Sequence, residues 1–193
     1  MKSVVDKDAA PLSPGLYIVA TPIGNLEDIT LRALRVLRSV DRIACEDTRQ
    51  TQKLLSHFGI AAPTVSCHAH NERERSEELI AAMQAGARIA LVSDAGMPGI
   101  SDPGAHLVRQ AAAAGIVVIP IPGASAVISA LAASGLDTNS FLFAGFAPPF
   151  RQQAHLILMQ LPQRFLAELD GQCQTRPPLG RGRSKQVGES LHR

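Results

Sequence analysis

Short β-branched and apolar runs alternate along this chain with amphipathic stretches of helical length, and four of those stretches are closed by a glycine, at 59, 86, 115 and 135. A strand followed by a helix-length crossover has to pair parallel with its neighbour. The alternation therefore restricts the chain to an α/β fold, a mostly parallel sheet flanked by helices. The expected strands are 16–21, 42–45, 64–67, 88–93, 116–121 and 141–144, and the expected helices 30–40, 47–58, 73–85, 103–114 and 124–134. In the first helix Leu31, Leu34 and Leu37 fall on one face and Arg32, Arg35 and Arg38 on another. Composition agrees: hydrophobic residues make up 46% of the chain but aromatics only 4%, the Ala, Val, Ile and Leu core that buried parallel sheets favour.

The 193 residues suffice for one domain or one and a part. No apolar run approaches the ~20 residues that cross a bilayer, and the first residues lack the apolar segment of a signal peptide, so a cytoplasmic protein without a membrane partner is expected. Cys45, Cys67 and Cys173 are odd in number and lack C-x-x-C spacing, which makes them small buried hydrophobes rather than a disulfide framework or zinc knuckle. Charge divides the chain into two regimes. Residues 1–150 carry 12 Lys/Arg against 14 Asp/Glu, a net −2, whereas residues 151–193 carry 7 against 3, a net +4. A basic tail attracts phosphate without reading sequence, but a run as short as Arg181-Gly182-Arg183-Ser184-Lys185 is a solvated segment.

In open α/β sheets ligands sit beyond the carboxyl ends of the strands. The loops there are unusual: Thr21 to Leu26, Glu46 to Arg49, Cys67 to Glu72, Ser93 to Gly104 and Pro120 to Ala126. The fourth is the most informative, because the apolar run Ile89 to Val92 stops in a stretch of glycines and prolines. Glycine lets a ligand approach the main chain, and proline stiffens the turn. Asp94 and Asp102 flank its apolar turn, which suits a small ligand with polar and apolar parts. Asp102 before Pro103 also reads as an N-cap followed by proline at the first helical position. The cap leaves Asp94 and the glycines unexplained, so a ligand loop opening onto a helix N-terminus is expected.

Several chemistries are excluded. There is no G-x-x-x-x-G-K-[ST] loop, no G-x-G-x-x-G turn and no G-x-S-x-G elbow. Cys45 lacks the arginine of a phosphatase loop, because position 51 is Thr. Cys67, His68 and His70 are near neighbours at a strand end, where residues two apart share a face and adjacent ones do not, and no metal is expected.

Taken together, Gly15 to Thr30, Glu46-Asp47-Thr48-Arg49, His68-Ala69-His70-Asn71-Glu72, Ser93 to Gly104 and Pro122-Gly123-Ala124-Ser125-Ala126 resemble the tetrapyrrole-methylase superfamily over about residues 15–149. More narrowly they resemble its ribosomal branch, whose members use S-adenosylmethionine to methylate a cytidine ribose 2′-hydroxyl in 16S rRNA of the small ribosomal subunit. The resemblance implies the N-terminal domain type of that superfamily over 15–147, after a flexible 1–14. It implies that S-adenosylmethionine lies against Asp94, Ala95, Gly96, Met97, Pro98 and Ile100, and against Ala124, Ser125 and Ala126. Thr21, Gly24 and Asn25 match the loop that positions the reacting nucleotide. Arg49 and Asn71 are placed at the cleft edge as substrate contacts, and Glu46 and Glu72 lie at the same edge. Proton removal from the acceptor hydroxyl needs a base, for which His70 and Asp47 are candidates by type and position. Many relatives dimerise, which makes a homodimer an expectation.

The resemblance breaks after Pro148-Pro149, where family members continue into a second domain. Here 148–193 read as an atypical, disordered tail with one amphipathic helix over 155–168, and a frameshift or truncation near codon 150 is the expectation. Such a chain would be a weakened or inactive enzyme. Two other functions stay open, methylation of a small tetrapyrrole-like substrate and a non-catalytic fragment that binds the cofactor.

Overall fold

The computed structural model describes residues 11–143 and Gly145. Five strands, β1 (Gly15–Val19), β2 (Arg42–Cys45), β3 (Thr64–Ser66), β4 (Arg88–Val92) and β5 (Val118–Ile121), form one sheet in the order β3-β2-β4-β1-β5. Every pairing is parallel, with Leu16 opposite Ile89 and Val118, and Ala44 opposite Val65 and Leu91. The connections are α1 (Leu31–Ser39), α2 (Thr48–His57), α3 (Glu72–Gln84) and α4 (Ala105–Ala113), and α5 (Ala126–Ala133) follows β5.

Two cores separate because successive strand residues point to opposite faces. Tyr17, Val19, Ile43, Cys45, Ala90 and Val92 pack with Leu34, Val36 and Leu37 of α1 and Leu55 of α2. Leu16, Ile18, Ala44, Ile89 and Leu91 pack with Leu79 and Met83 of α3 and with Leu107 and Ala111 of α4. The adjacent central strands β1 and β4 thus send their chains onto opposite faces and in opposite directions along the sheet, and their carboxyl ends lie side by side.

Four expectations need correction. Leu31 is 64% exposed, and the buried face of α1 is Ala33, Leu34, Val36 and Leu37. Leu31 occupies the first turn, where a side chain leans toward the helix N-terminus and away from the partners of the turns that follow. Strand β1 ends at Val19 rather than residue 21, because Thr21 turns into an antiparallel bridge with Gly96. Helix α4 begins at Ala105 rather than 103. The expected sixth strand does not form over 141–143: Phe141, Leu142 and Phe143 are about half exposed and pair with no strand among the described residues. Ala144, the first ten residues and the tail from Phe146, with its expected helix and Cys173, lie outside the described residues.

A bidentate ion pair joins the α1–β2 turn to the start of β4. Arg88 donates from Nη2 to Asp41 Oδ1 at 2.6 Å and from Nε and its backbone N to Oδ2 at 3.0 and 2.7 Å. These bonds hold the Asp41 carboxyl down at about 2, below its ordinary 3.8. A depressed carboxylate contributes stability above its unfolded pKa and loses it as pH falls through its folded one. Both side chains are a third or more exposed, so the contribution is on the order of 1 kcal/mol. We expect Asp41→Asn to lower the unfolding free energy by about that amount at neutral pH. In thermal melts the gap should close between about pH 4 and pH 2; a gap independent of pH would refute the assignment.

Candidate functional site

The loops that leave β1 and β4 are joined before they part. Thr21 N donates to Gly96 O at 2.9 Å and Gly96 N to Thr21 O at 3.1 Å. The Thr21 hydroxyl, in a side chain 3% exposed, donates to Ser93 O at 3.0 Å, and Ser93 Oγ donates to Gly96 O at 3.3 Å. Gly96 has φ +83, a conformation that L side chains rarely adopt. Further on, Ser101 stands at φ 57 without glycine's freedom, a strained position of the kind that concentrates at ligand loops. Asp94 and Ala95 are exposed at the crest, Met97 is partly buried against the α3/α4 core, Pro98 is buried and Ile100 is 55% exposed.

The cap of α4 does not come from Asp102. Gly104 holds the N-cap position with φ 115, and Glu72, the first residue of α3, supplies the acceptor. Its Oε1 accepts from Gly104 N at 2.9 Å, His106 N at 2.8 Å and Leu107 N at 3.4 Å. With the helix starting at Ala105, Asp102 lies one turn too early to reach those amides. A β-carbon on Gly104 would come within 2.7 Å of Leu91 Cδ2, so the loop is pressed against the core at this point.

Three carboxylates gather at the same edge. Burial, then Asp94 and Asp102, raise the pKa of Glu46. Burial, opposed by a hydrogen bond from Ser93, and then Asp94 raise that of Asp102. Both groups are held against their charged forms, and a cation bound among them relieves that cost. The thiols nearby are inert. Burial raises Cys45 and pushes Cys67 up to about 11, and both are free and buried. Among the described residues no cluster of three His, Cys, Asp or Glu could hold a metal ion.

A cavity of about 270 Å³ opens beside this edge, lined by Thr21, Pro22, Gly24, Leu26 and Ser93-Asp94 on one side and Gln50, Thr51, Lys53 and Leu54 of α2 on the other. Of the residues singled out in the sequence, Thr21, Gly24 and Asp94 meet in it. Asn25 caps the short turn Leu26–Asp28, accepting from Glu27 N at 3.1 Å. Asp47 caps α2 and binds Arg49, accepting from its backbone N at 2.8 Å and its Nη2 at 3.1 Å, which keeps the Asp47 pKa low. Asn71 staples its own loop, accepting from His68 N at 2.8 Å and donating to Ser66 O at 3.3 Å. His70 is exposed, and its backbone N donates to His68 Nδ1 at 3.3 Å. Ala124, Ser125 and Ala126 form the mouth of α5, where Ser125 Oγ accepts from Ile128 N. Next to them Gly123 sits so close to Ala20 that an added β-carbon would come within 2.8 Å of the Ala20 methyl. The end of β5 therefore abuts the end of β1.

Sequence reasoning missed Gln50, Thr51, Lys53 and Leu54. Which side of α2 turns toward the β1 loop depends on packing with Leu55 and Thr51 buried, and the weak apolar pattern of that helix does not disclose it.

This parallel sheet, with its pinned loops and glycine-rich turn, defines an α/β ligand-binding domain. A family model described as tetrapyrrole (corrin/porphyrin) methylases matches residues 15–163, and the chain belongs to that family. The match takes in the first part of the segment that the sequence sets apart from residue 148. A ribosomal RNA small subunit methyltransferase I from Halalkalibacterium halodurans is 54% identical over 167 residues, 80% of this chain and 58% of that relative. Proteins of the same name from Synechocystis and Vibrio cholerae are 50% and 60% identical, covering 91% and 70% of this chain and 66% and 47% of their own lengths. The chain thus spans between about half and two thirds of these relatives. Among solved structures, a conserved hypothetical protein from Aeropyrum pernix K1 is similar at TM-score 0.53 and 25% identity, over 66% of this chain and 45% of that one. A diphthine synthase shares the fold at TM-score 0.51 and 21% identity, over 63% and 49%.

Removing the Glu72 cap tests the construction of the loop. We expect Glu72→Ala to cost about 1–2 kcal/mol in urea unfolding and Glu72→Gln less, since an amide oxygen still accepts. Equal stability of all three proteins would show that the cap carries no weight.

Proposed function

We propose that this chain is the cofactor-binding portion of an S-adenosylmethionine-dependent methyltransferase acting on a cytidine 2′-hydroxyl of 16S rRNA in the small ribosomal subunit. The observation that carries the reading is the pinned Thr21–Gly96 corner with its carboxylate cluster, found in a chain that is 50–60% identical to proteins named for small-subunit rRNA methylation. The donor set fits the cofactor. Its sulfonium and amino groups are cationic, and Glu46, Asp94 and Asp102 form an anionic edge under mutual repulsion. Met97, Pro98 and Ile100 supply an apolar wall beside it, as an adenine ring requires. When bound, S-adenosylmethionine supplies an electrophilic methyl group.

The chain's own residues then have distinct tasks. Asp94 and the backbone of the Gly96 turn hold the cationic end. Thr21, Pro22 and Gly24 wall the cavity where the acceptor ribose would sit in line with the methyl, and Ala124, Ser125 and Ala126 close the β5 side. For the acceptor proton, His70 is the better of the two bases, because Arg49 holds the Asp47 carboxyl below its ordinary pKa and so makes it a weaker base. Arg49 and Asn71 serve the substrate side, Asn71 by fixing the loop that carries His70. The apolar surface of α5, on which no residue is buried, supports a homodimer as the working form.

Two outcomes are expected. Calorimetric binding of S-adenosylmethionine should release protons in mildly acidic buffer, where the raised Glu46 and Asp102 are part-protonated, and affinity should weaken as the pH is lowered there. At about pH 8 release should vanish, and Asp94→Asn should weaken binding throughout. Binding without proton linkage at any pH would remove the carboxylates from the site. Labelled-methyl transfer to small ribosomal subunits should be lost in His70→Ala with cofactor affinity retained; label reaching a porphyrinoid instead would favour a small tetrapyrrole-like substrate, and binding without any transfer a non-catalytic fragment.

A further inference from the structure

A second concavity, not used by the site above, runs along the polar side of α2. It measures about 540 Å³ and is lined by Thr48, Arg49, Gln52, Lys53, Ser56 and Thr64. Every one of these side chains carries a hydrogen-bonding group, and none is a carboxylate or an aromatic ring. Lys53 also lines the cavity at the strand ends, so the groove meets the site at that residue. Arg49 and Lys53 are four residues apart on one helix and project to the same side, about 6 Å apart along its axis. The Lys53 ammonium donates to Gln50 Oε1 at 2.9 Å and has no carboxylate within 4 Å among the described residues. Arg49 is anchored by Asp47 through Nε and Nη2, yet its side chain is 88% exposed. Two of its five N–H donors serve the anchor, and the others face water.

We propose that this groove seats the sugar-phosphate backbone of the RNA strand that flanks the nucleotide held in the site cavity; the inference rests on the rRNA reading above. Cationic and neutral hydrogen-bonding groups, with no aromatic ring among them, match phosphate oxygens and ribose hydroxyls and offer no ring for a base to stack upon. The groove positions the strand and does not read its sequence. Arg49 and Lys53 are far enough apart to engage separate phosphates, and Lys53 holds the one next to the cavity.

The test uses the full chain, purified small ribosomal subunits and a series of salt concentrations. Lys53→Glu should weaken subunit binding about tenfold at low salt, and Lys53→Gln should reduce the slope of log affinity against log salt by about one. Ser56→Glu, at the far end of the groove, should weaken binding in the same direction. Cofactor affinity should stay unchanged in Ser56→Glu, which lines the groove and not the site cavity. Variants that bind subunits with wild-type affinity and slope, while the wild type methylates them, would overturn the groove and leave the rRNA reading intact. A change in oligomeric state at unchanged subunit affinity would also overturn it, making this face a contact between copies. Wild-type chain that neither binds subunits nor methylates their RNA would overturn the rRNA reading and the groove with it.

Discussion

The pair of backbone hydrogen bonds between Thr21 and Gly96 is the constraint on which the rest of this site depends. β1 and β4 lie side by side, but the chains leaving them travel to opposite faces and opposite ends of the sheet. Without a tie, the loops would splay as soon as the ladder ended. The bridge extends the union of the two strands past the sheet, and the buried Thr21 hydroxyl and Ser93 reinforce it from within. Asp94 is thereby set at the crest of a corner whose backbone has no slack. The cavity walls formed by Pro22, Gly24 and Leu26 hang from the other side of the same corner.

Electrostatics divide the strand ends into two zones. Glu46 and Asp102 lie with Asp94 at the ends of β2 and β4, where burial and the neighbouring carboxylates disfavour the charge of Glu46 and Asp102. Lys53 of α2 lines the other wall of the cavity and, together with Arg49, the groove along the polar side of that helix. A cation and a polyanion can therefore approach one point from different directions. Burial raises the pKa of the Cys45 and Cys67 thiols, Cys67 to about 11.

Local pattern made much of this legible. The continuous apolar runs at Leu16–Val19 and Ile89–Val92 marked strands of a buried parallel sheet, and the structure divides their residues between the two cores. The glycines and prolines after β4 marked a tight turn, which the structure pins to the β1 loop at Thr21. What pattern did not disclose depends on partners distant in sequence. Asp102-Pro103 has the composition of a helix start, but the amides it would cap are taken by Glu72, 32 to 35 residues away. Leu31 keeps helical spacing with Leu34 and Leu37 yet lies in the first turn and faces water. Phe141 to Phe143 have strand composition and lack a strand to pair with among the described residues. Lys53 sits in a helix whose polar residues read as ordinary surface until the loop opposite is seen.

The Glu72 carboxylate has a mechanical consequence. One oxygen atom belongs to the first residue of α3 and is shared by three amides at the entrance of α4, so the segment after β3 and the segment after β4 have a common fulcrum. Neither can swing by itself without stranding buried donors. Any rearrangement of the glycine-rich turn around an occupant must either stop at Gly104 or carry α3 along as a lever, and with it the His68–Asn71 turn at that helix's mouth. The two rims of the cleft are geared together at this carboxylate, so the glycine-rich turn and the His68–Asn71 turn share one anchor above the sheet.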